Sequence, residues 1–217
     1  MAIDKADIIN QALVGIGAGP IFSIDDDSDL AEQIAYTWQR IVDHCFGLTD
    51  WSFALVTARM RRLDAQPENG WIFAYDLPAD RIGNPVAYRR GPRWADGIIR
   101  DFTLQARKFY SNEQEAWAIY KVEQDPELWE PTFRSAFITA LEGALAIPVW
   151  SDEDMRDRKW QIAFGSPSLQ GGGGEFGRVV AQDKAARPIG EENLLANDPL
   201  TAVRPLAGAG DAWHGRW

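Results

Sequence analysis

Few side chains in this sequence are suited to nucleophilic or metal chemistry. The single cysteine, Cys45, directly follows His44, one of two histidines. Neighbouring residues on a helix point about 100° apart, so the two are poorly placed as a nucleophile and its base. They are also too few for a structural zinc site or an intramolecular disulfide. We expect Cys45 to be a small buried hydrophobic residue.

Two motifs resemble ligand-binding loops without meeting their requirements. GIGAGP, at residues 15–20, follows a predicted helix rather than a strand and ends in proline, which is typical of a helix end. DDDSD, at residues 25–29, lacks the glycine and the bidentate glutamate of a calcium-binding loop. Helix capping explains these acids better. We predict no catalytic residue, no metal ion and no cofactor.

Carbohydrate chemistry remains an alternative. Carboxylates for a glycosidase are plentiful, but no pattern selects two of them. The ten tryptophans could line a sugar-binding face, yet most lie at element boundaries or on apolar stripes. This placement favours roles in the core and in subunit contacts. The tryptophans assigned to those roles are Trp38, Trp51, Trp117, Trp129 and Trp150.

Charge is unevenly distributed along the 217 residues. The formal net charge of −10 argues against a protein that coats DNA. Residues 1–57 contain nine acidic and two basic residues, whereas residues 59–108 contain ten basic and six acidic ones. Two solvated faces of opposite sign would explain this pattern. Alternatively, neighbouring copies meet acidic helix to basic strand, because complementary potentials guide assembly.

The beginning of the sequence lacks the charged and long apolar regions of a signal peptide. No apolar run approaches the ~18 residues of a membrane span. We therefore expect a soluble protein without a membrane partner.

Hydrophobic spacing predicts two amphipathic helices within residues 1–50. The first begins at the N-cap Asp4, and the second begins with a capping box formed by Asp29 and Glu32. The first apolar stripe comprises Ile8, Ile9, Ala12, Leu13 and Ile16. The second comprises Ala31, Ile34, Ala35, Trp38, Ile41, Val42 and Cys45.

The middle of the chain, residues 51–125, has the pattern of an antiparallel β region. Short runs of β-forming residues are separated by turn sequences such as PENG and GNP. In WIFAYDL, strand alternation places four large side chains on one face. They are Trp71, Phe73, Tyr75 and Leu77.

Helices return in residues 126–187. A third helix ends at Pro148, and its Gly143 would let a neighbouring helix approach closely. Its stripe comprises Phe133, Phe137, Ala140, Leu141, Ala144 and Leu145. Ser151 is the predicted cap of a fourth helix. After Ser166-Pro167 a fifth helix and a flexible linker are both compatible with the sequence, because each glycine of Gly171–Gly174 costs about 1 kcal/mol inside a helix.

The predicted fold is therefore α+β and mainly α. It combines a bundle of four or five helices, the inserted β region and an extended C-terminal arm at residues 188–217, which has no fold of its own.

Four segments, taken in order, resemble one known family. INQALVGIGAGPIFSIDDDSDLAEQ is similar to its first helix and the acidic start of its second, and DHCFGLTDWSFA to the junction that follows. GWIFAYDLPAD resembles its aromatic strand, and IYKVEQDPELWEPTFRSAFITALEGALAIPV its last strand and third helix. Over residues 6–150 the chain thus resembles the head-to-tail adaptors (tail tubular protein A) of short-tailed phages and gene transfer agents. After Phe164 it departs from that family's long alanine-rich helix.

The resemblance implies a structural virion protein without enzymatic activity, located at the head–tail junction and assembled in the host cytoplasm. Copies of the chain, commonly twelve, would form a ring beneath the portal protein. The ring would extend the DNA channel without sequence-specific binding and support the next tail component, a nozzle or stopper. We expect a monomer before assembly. The alternative function is a tail-associated carbohydrate-binding module or glycan hydrolase.

The resemblance also implies that the C-terminal arm reaches the portal. Ordering such an arm costs about 1–2 kcal/mol per residue, which a partner surface must offset. An arm folded back on its own helices is the alternative. The expected portal contacts are Leu194, Leu195, Leu200, Val203, Leu206, Trp213 and Trp217. The expected subunit or tail interface of the β region comprises Trp71, Phe73, Tyr75, Arg89, Arg90, Arg93 and Trp94.

Overall fold

A computed structural model describes residues 3–20, 22–23, 28–93, 96–166, 168 and 172–186. Within these residues the fold is mixed α+β, as predicted, with five α-helices and antiparallel sheets. The helices are α1 (Lys5–Gly15), α2 (Asp29–Gly47), α3 (Pro131–Trp150), α4 (Glu153–Phe164) and α5 (Gly174–Ala186). The strands are β1 (Leu55–Arg59), β2 (Arg61–Arg62), β3 (Phe73–Asp76), β4 (Arg81–Arg89), β5 (Phe102–Gln105), β6 (Lys108–Ser111) and β7 (Trp117–Val122).

Internal contacts divide the chain into two units, Met1–Asp183 and Lys184–Trp217. The elements described here belong to the first unit, apart from the last turn of α5.

The first two helices begin with side-chain caps. Asp4 caps α1 and forms a reciprocal capping box with Asp7, which confirms the predicted start. In α2 the cap is Ser28, whose hydroxyl accepts the Ala31 N–H, so the prediction of Asp29 as cap is wrong. Asp29 instead lies in the first turn, where its charge favours the helix dipole. Both predicted stripes are buried, except that Ala35 is exposed at the edge of the second.

The junction of α3 and α4 corrects two predictions. Helix α3 continues through Pro148 to Trp150. A proline in the last turn removes only one helical hydrogen bond, and the Ser151 and Asp152 N–H groups close the helix end by donating to Ile147 O and Ala146 O. Ser151 is the left-handed C-cap of α3 at φ 54°, and Asp152 caps α4 by accepting the Met155 N–H.

Helix α3 packs against α1, α2 and α4. The six predicted residues of its stripe are all buried in one core, where they meet aromatic residues from other elements. Three predicted core tryptophans, Trp38, Trp51 and Trp129, lie there too, whereas Trp117 is half-buried and Trp150 is 52% exposed. Gly143 allows close approach, as predicted, since a Cβ there would lie 2.9 Å from Trp160 Nε1 on α4.

Residues 174–186 form a helix, α5, so the polyglycine run precedes the helix rather than interrupting it. The first helical residue is Gly174, at φ 58°, which suits glycine. Phe176 is buried against Trp51 and Phe133. Asp183, also buried, accepts hydrogen bonds from the Ser52 N–H and hydroxyl at 2.9 and 2.6 Å.

Two antiparallel sheets form between α2 and α3. One has the strand order β1-β7-β4 and the other β2-β3-β6-β5. Their inner faces share a second core, separate from that of the helices. Its members are Met60, Tyr75, Leu77, Tyr88, Ile99, Phe109, Ala116, Ala118 and Tyr120.

Candidate functional site

A groove runs along the helical part of the protein. Helices α2 and α4 form its walls and the C-terminal half of α3 forms its floor, enclosing a volume of 1210 Å³. The residues of the α2 wall recur at helical spacing. They lie on the side of α2 that faces away from its buried stripe. These wall residues are Gln33, Tyr36, Thr37, Arg40 and His44. The α3 floor is mainly apolar and comprises Ala144, Ile147 and Pro148.

One end of the groove is aromatic. The His44 ring stacks on Trp160 at 5.9 Å and meets the edge of Phe164 at 4.8 Å. Burial lowers the pKa of His44 below its ordinary value, since desolvation disfavours the imidazolium. The neighbouring Cys45 points into the core, and burial raises the pKa of its thiol well above the usual value. The two side chains therefore do not form a nucleophile–base pair.

We expect His44 to make the stability of the protein pH-dependent. Because its pKa is lower in the folded state than the ordinary 6.5, the unfolded chain binds more protons, and the stabilisation that is present above pH 6.5 is lost as the pH falls. Urea unfolding of wild type and His44→Gln at about pH 7.5 and about pH 5 tests this. When the pH is lowered, the free energy of unfolding of wild type should fall relative to that of His44→Gln. A pH-independent difference would contradict the prediction.

The described residues contain no group of three His, Cys, Asp or Glu side chains placed to hold a metal ion. None of their helices is long and apolar enough to cross a membrane. The groove combines an apolar floor, aromatic rings and a few charged side chains.

No protein-family model matches this chain, and no curated protein is significantly similar to it. The groove and the sheets must therefore be interpreted from their own chemistry.

The structure separates the residues predicted for the interface of the β region. Tyr75 and Arg89 are only 1% and 5% exposed, so in a single copy neither side chain presents a surface to a partner. Tyr75 lies on the inner face of the sheet, and its hydroxyl donates to Glu113 O at 2.6 Å. Strand alternation identifies which side chains share a face but not which face is covered.

The other predicted interface residues lie nearer to solvent. Trp71 and Phe73 are half-buried, and Phe73 lies beneath the Arg62 guanidinium at 5.3 Å. Arg90 is exposed and paired with Glu113, and Arg93 is also exposed. Trp94 lies outside the described residues, as do all the predicted portal contacts of the C-terminal arm. Their assignment to interfaces remains a prediction.

The sequence did contain a signal for the groove that the prediction missed. Tyr36, Arg40 and His44 recur every four residues on the polar face of α2, and Tyr36 is 77% exposed. The three side chains thus share one face of α2, and the structure places that face on the groove.

Proposed function

We propose that this protein is a head-to-tail adaptor. In this proposal it assembles as a ring beneath the portal, extends the DNA channel and supports the next tail component. The observation that carries it is the groove between α2 and α4. Its floor is apolar, and the described part of the chain leaves it open. A groove with an apolar floor can receive a helix of a partner protein.

The sequence segments that resemble adaptors coincide with the junctions of the fold. The first spans most of α1 and the start of α2, and the second runs from the end of α2 to the residue before β1. The third contains β3, and the fourth contains most of β7 and nearly all of α3. This coincidence supports a helical bundle with an inserted β region, the architecture that the resemblance implies.

Unlike surfaces on one subunit support a ring. Assembly of a ring from one kind of subunit needs two different surfaces that complement each other. The N-terminal helices are rich in carboxylates, and the β region exposes arginines that include Arg62, Arg93 and Arg100. A net charge of −10 also suits a conduit that must not bind the DNA passing through it. The C-terminal arm would supply the portal contact.

Purified protein mixed with purified portal tests the proposal. We expect negative-stain images of portal particles to gain a ring, with as many adaptor copies as portal subunits and a matching mass by light scattering. Portal particles that lack the surface facing the adaptor are the control. Their images and their mass should not change when the protein is added. Absence of rings, together with binding of the protein to glycan fragments at micromolar concentration, would overturn the proposal in favour of carbohydrate recognition.

A further inference from the structure

We infer that the groove between α2 and α4 receives helix α1 of a neighbouring copy. This inference rests on the proposed ring, because it names the contact between adjacent subunits. It requires an exposed stripe on α1 that fits the groove in length, in position of its apolar group and in charge.

Helix α1 has such a stripe on the side away from its own core. Asp7, Gln11 and Val14 follow one another at spacings of four and three residues, and all three are exposed. Val14 is 56% exposed, although the other large apolar residues of α1 are buried. The stripe therefore has an apolar group near the C-terminal end of the helix and a carboxylate near the N-terminal end.

The lengths of the helix and the groove agree. Eleven residues of α1 extend about 16 Å, and the α2 wall from Gln33 to His44 extends about the same distance at 1.5 Å per residue. A helix of this length can thus lie along the whole groove. Helix-in-groove docking of this kind uses anchors at spacings of three, four and seven residues.

The order of the contact groups along the groove also agrees. Rings of α2 and α3 pair as Trp38 with Phe137 and Phe46 with Phe133, so the two helices run antiparallel. Ile147, on the floor, therefore lies toward the Gln33 end of α2. Arg40 lies further toward the C-terminal end of α2, and on α1 Asp7 lies toward the opposite end from Val14.

An α1 helix lying antiparallel to α2 brings two complementary pairs together. Its Val14 would meet Ile147 on the floor while its Asp7 would meet Arg40 on the wall. Arg40 is exposed and has no ion-pair partner among the described residues, whereas Arg156, on the opposite wall, is already paired with Asp157 at 2.9 Å. Asp7 uses one carboxylate oxygen to cap α1, which leaves the other for the arginine.

A contact made of one apolar pair and one exposed ion pair is weak on its own. An exposed ion pair contributes about 0–1 kcal/mol. Many such contacts become effective together when the subunits are held side by side, since linked sites raise the effective concentration. The contact thus fits a chain that associates on a template.

Cross-linking of single-cysteine additions tests the pairing without portal. A Val14→Cys chain carrying an affinity tag is mixed with an untagged Ile147→Cys chain at high concentration and treated with a short bis-maleimide. We expect a mixed dimer in several-fold excess over either variant alone. The native Cys45 is fully buried and does not react.

Matched controls replace exposed residues of the same type elsewhere. Val86→Cys on β4 is 43% exposed and Ile162→Cys on α4 is 50% exposed, and neither residue lines the groove. Mixtures containing a control variant should give only background cross-linking. Equal yield from the control and test mixtures would overturn the inference.

A double-mutant cycle tests the ion pair between Asp7 and Arg40. Asp7→Asn keeps an acceptor for the capping bond, and Arg40→Gln keeps a polar side chain. Each should lower the Val14–Ile147 cross-link yield about threefold, and the double substitution should lower it no further, since both remove the same interaction. Full additivity of the two substitutions would overturn the ion pair.

The two proposals can fail separately. Rings on portal without the Val14–Ile147 cross-link would refute only the groove contact. The Val14–Ile147 cross-link without rings on portal would refute only the proposed function.

Discussion

A chain truncated after Arg187 is expected to fold but to lose attachment to portal. All proposed portal contacts lie beyond this point, including Trp213 and Trp217. Buried tryptophans at protein interfaces often contribute about 2 kcal/mol or more each, so losing two of them weakens binding by about three orders of magnitude. Both hydrophobic cores lie within the first unit, Met1–Asp183, which the truncation leaves intact.

The truncation is measured by titrating portal particles with wild-type and truncated chains and following the increase in mass by light scattering. Full-length Trp213→Ala/Trp217→Ala is the matched variant and should lose most of the same affinity. The urea midpoint of both variants should equal that of wild type, because neither change removes a side chain from the described cores. Saturation of portal by the truncated chain at the wild-type concentration would refute the proposed role of the arm.

Features set by neighbours in sequence were predictable. The N-cap position of Asp4 and the apolar stripes of α1 and α3 depend on spacing within one helix, and the structure confirms them. Errors arose where several local solutions compete. Ser28 and Asp152 took the capping positions assigned to Asp29 and Ser151, because adjacent polar residues are all good caps and packing of the helix decides among them.

Features set by the packing of distant segments were not predictable. The groove exists because α4 docks on α3 at Gly143 while α2 packs on another side of α3. Helical periodicity describes one helix and carries no information on the space between two. The burial of Tyr75 and Arg89 depends in the same way on which sheet face the second core covers.

One buried charge of the β region contacts the end of helix α2. Lys121 lies on β7, the central strand of its sheet, and is only 7% exposed. Its Nζ donates to Phe46 O and Thr49 O at 3.0 Å each and lies 3.3 Å from Asp50 Oδ1. Phe46 belongs to the last turn of α2, whose final carbonyls have no partner within the helix. The ammonium thus caps α2 from the sheet.

Lys121→Met is expected to destabilise the protein by about 2–4 kcal/mol, since it keeps the apolar stem but leaves buried carbonyl groups without their charged donor. This is a large part of the about 5–15 kcal/mol that stabilises a typical domain. Urea unfolding measures the effect, and Lys108→Met on β6 is the matched control, expected within about 0.5 kcal/mol of wild type. A Lys121→Met midpoint equal to that of Lys108→Met would show that the sheet and α2 are held together without this capping bond.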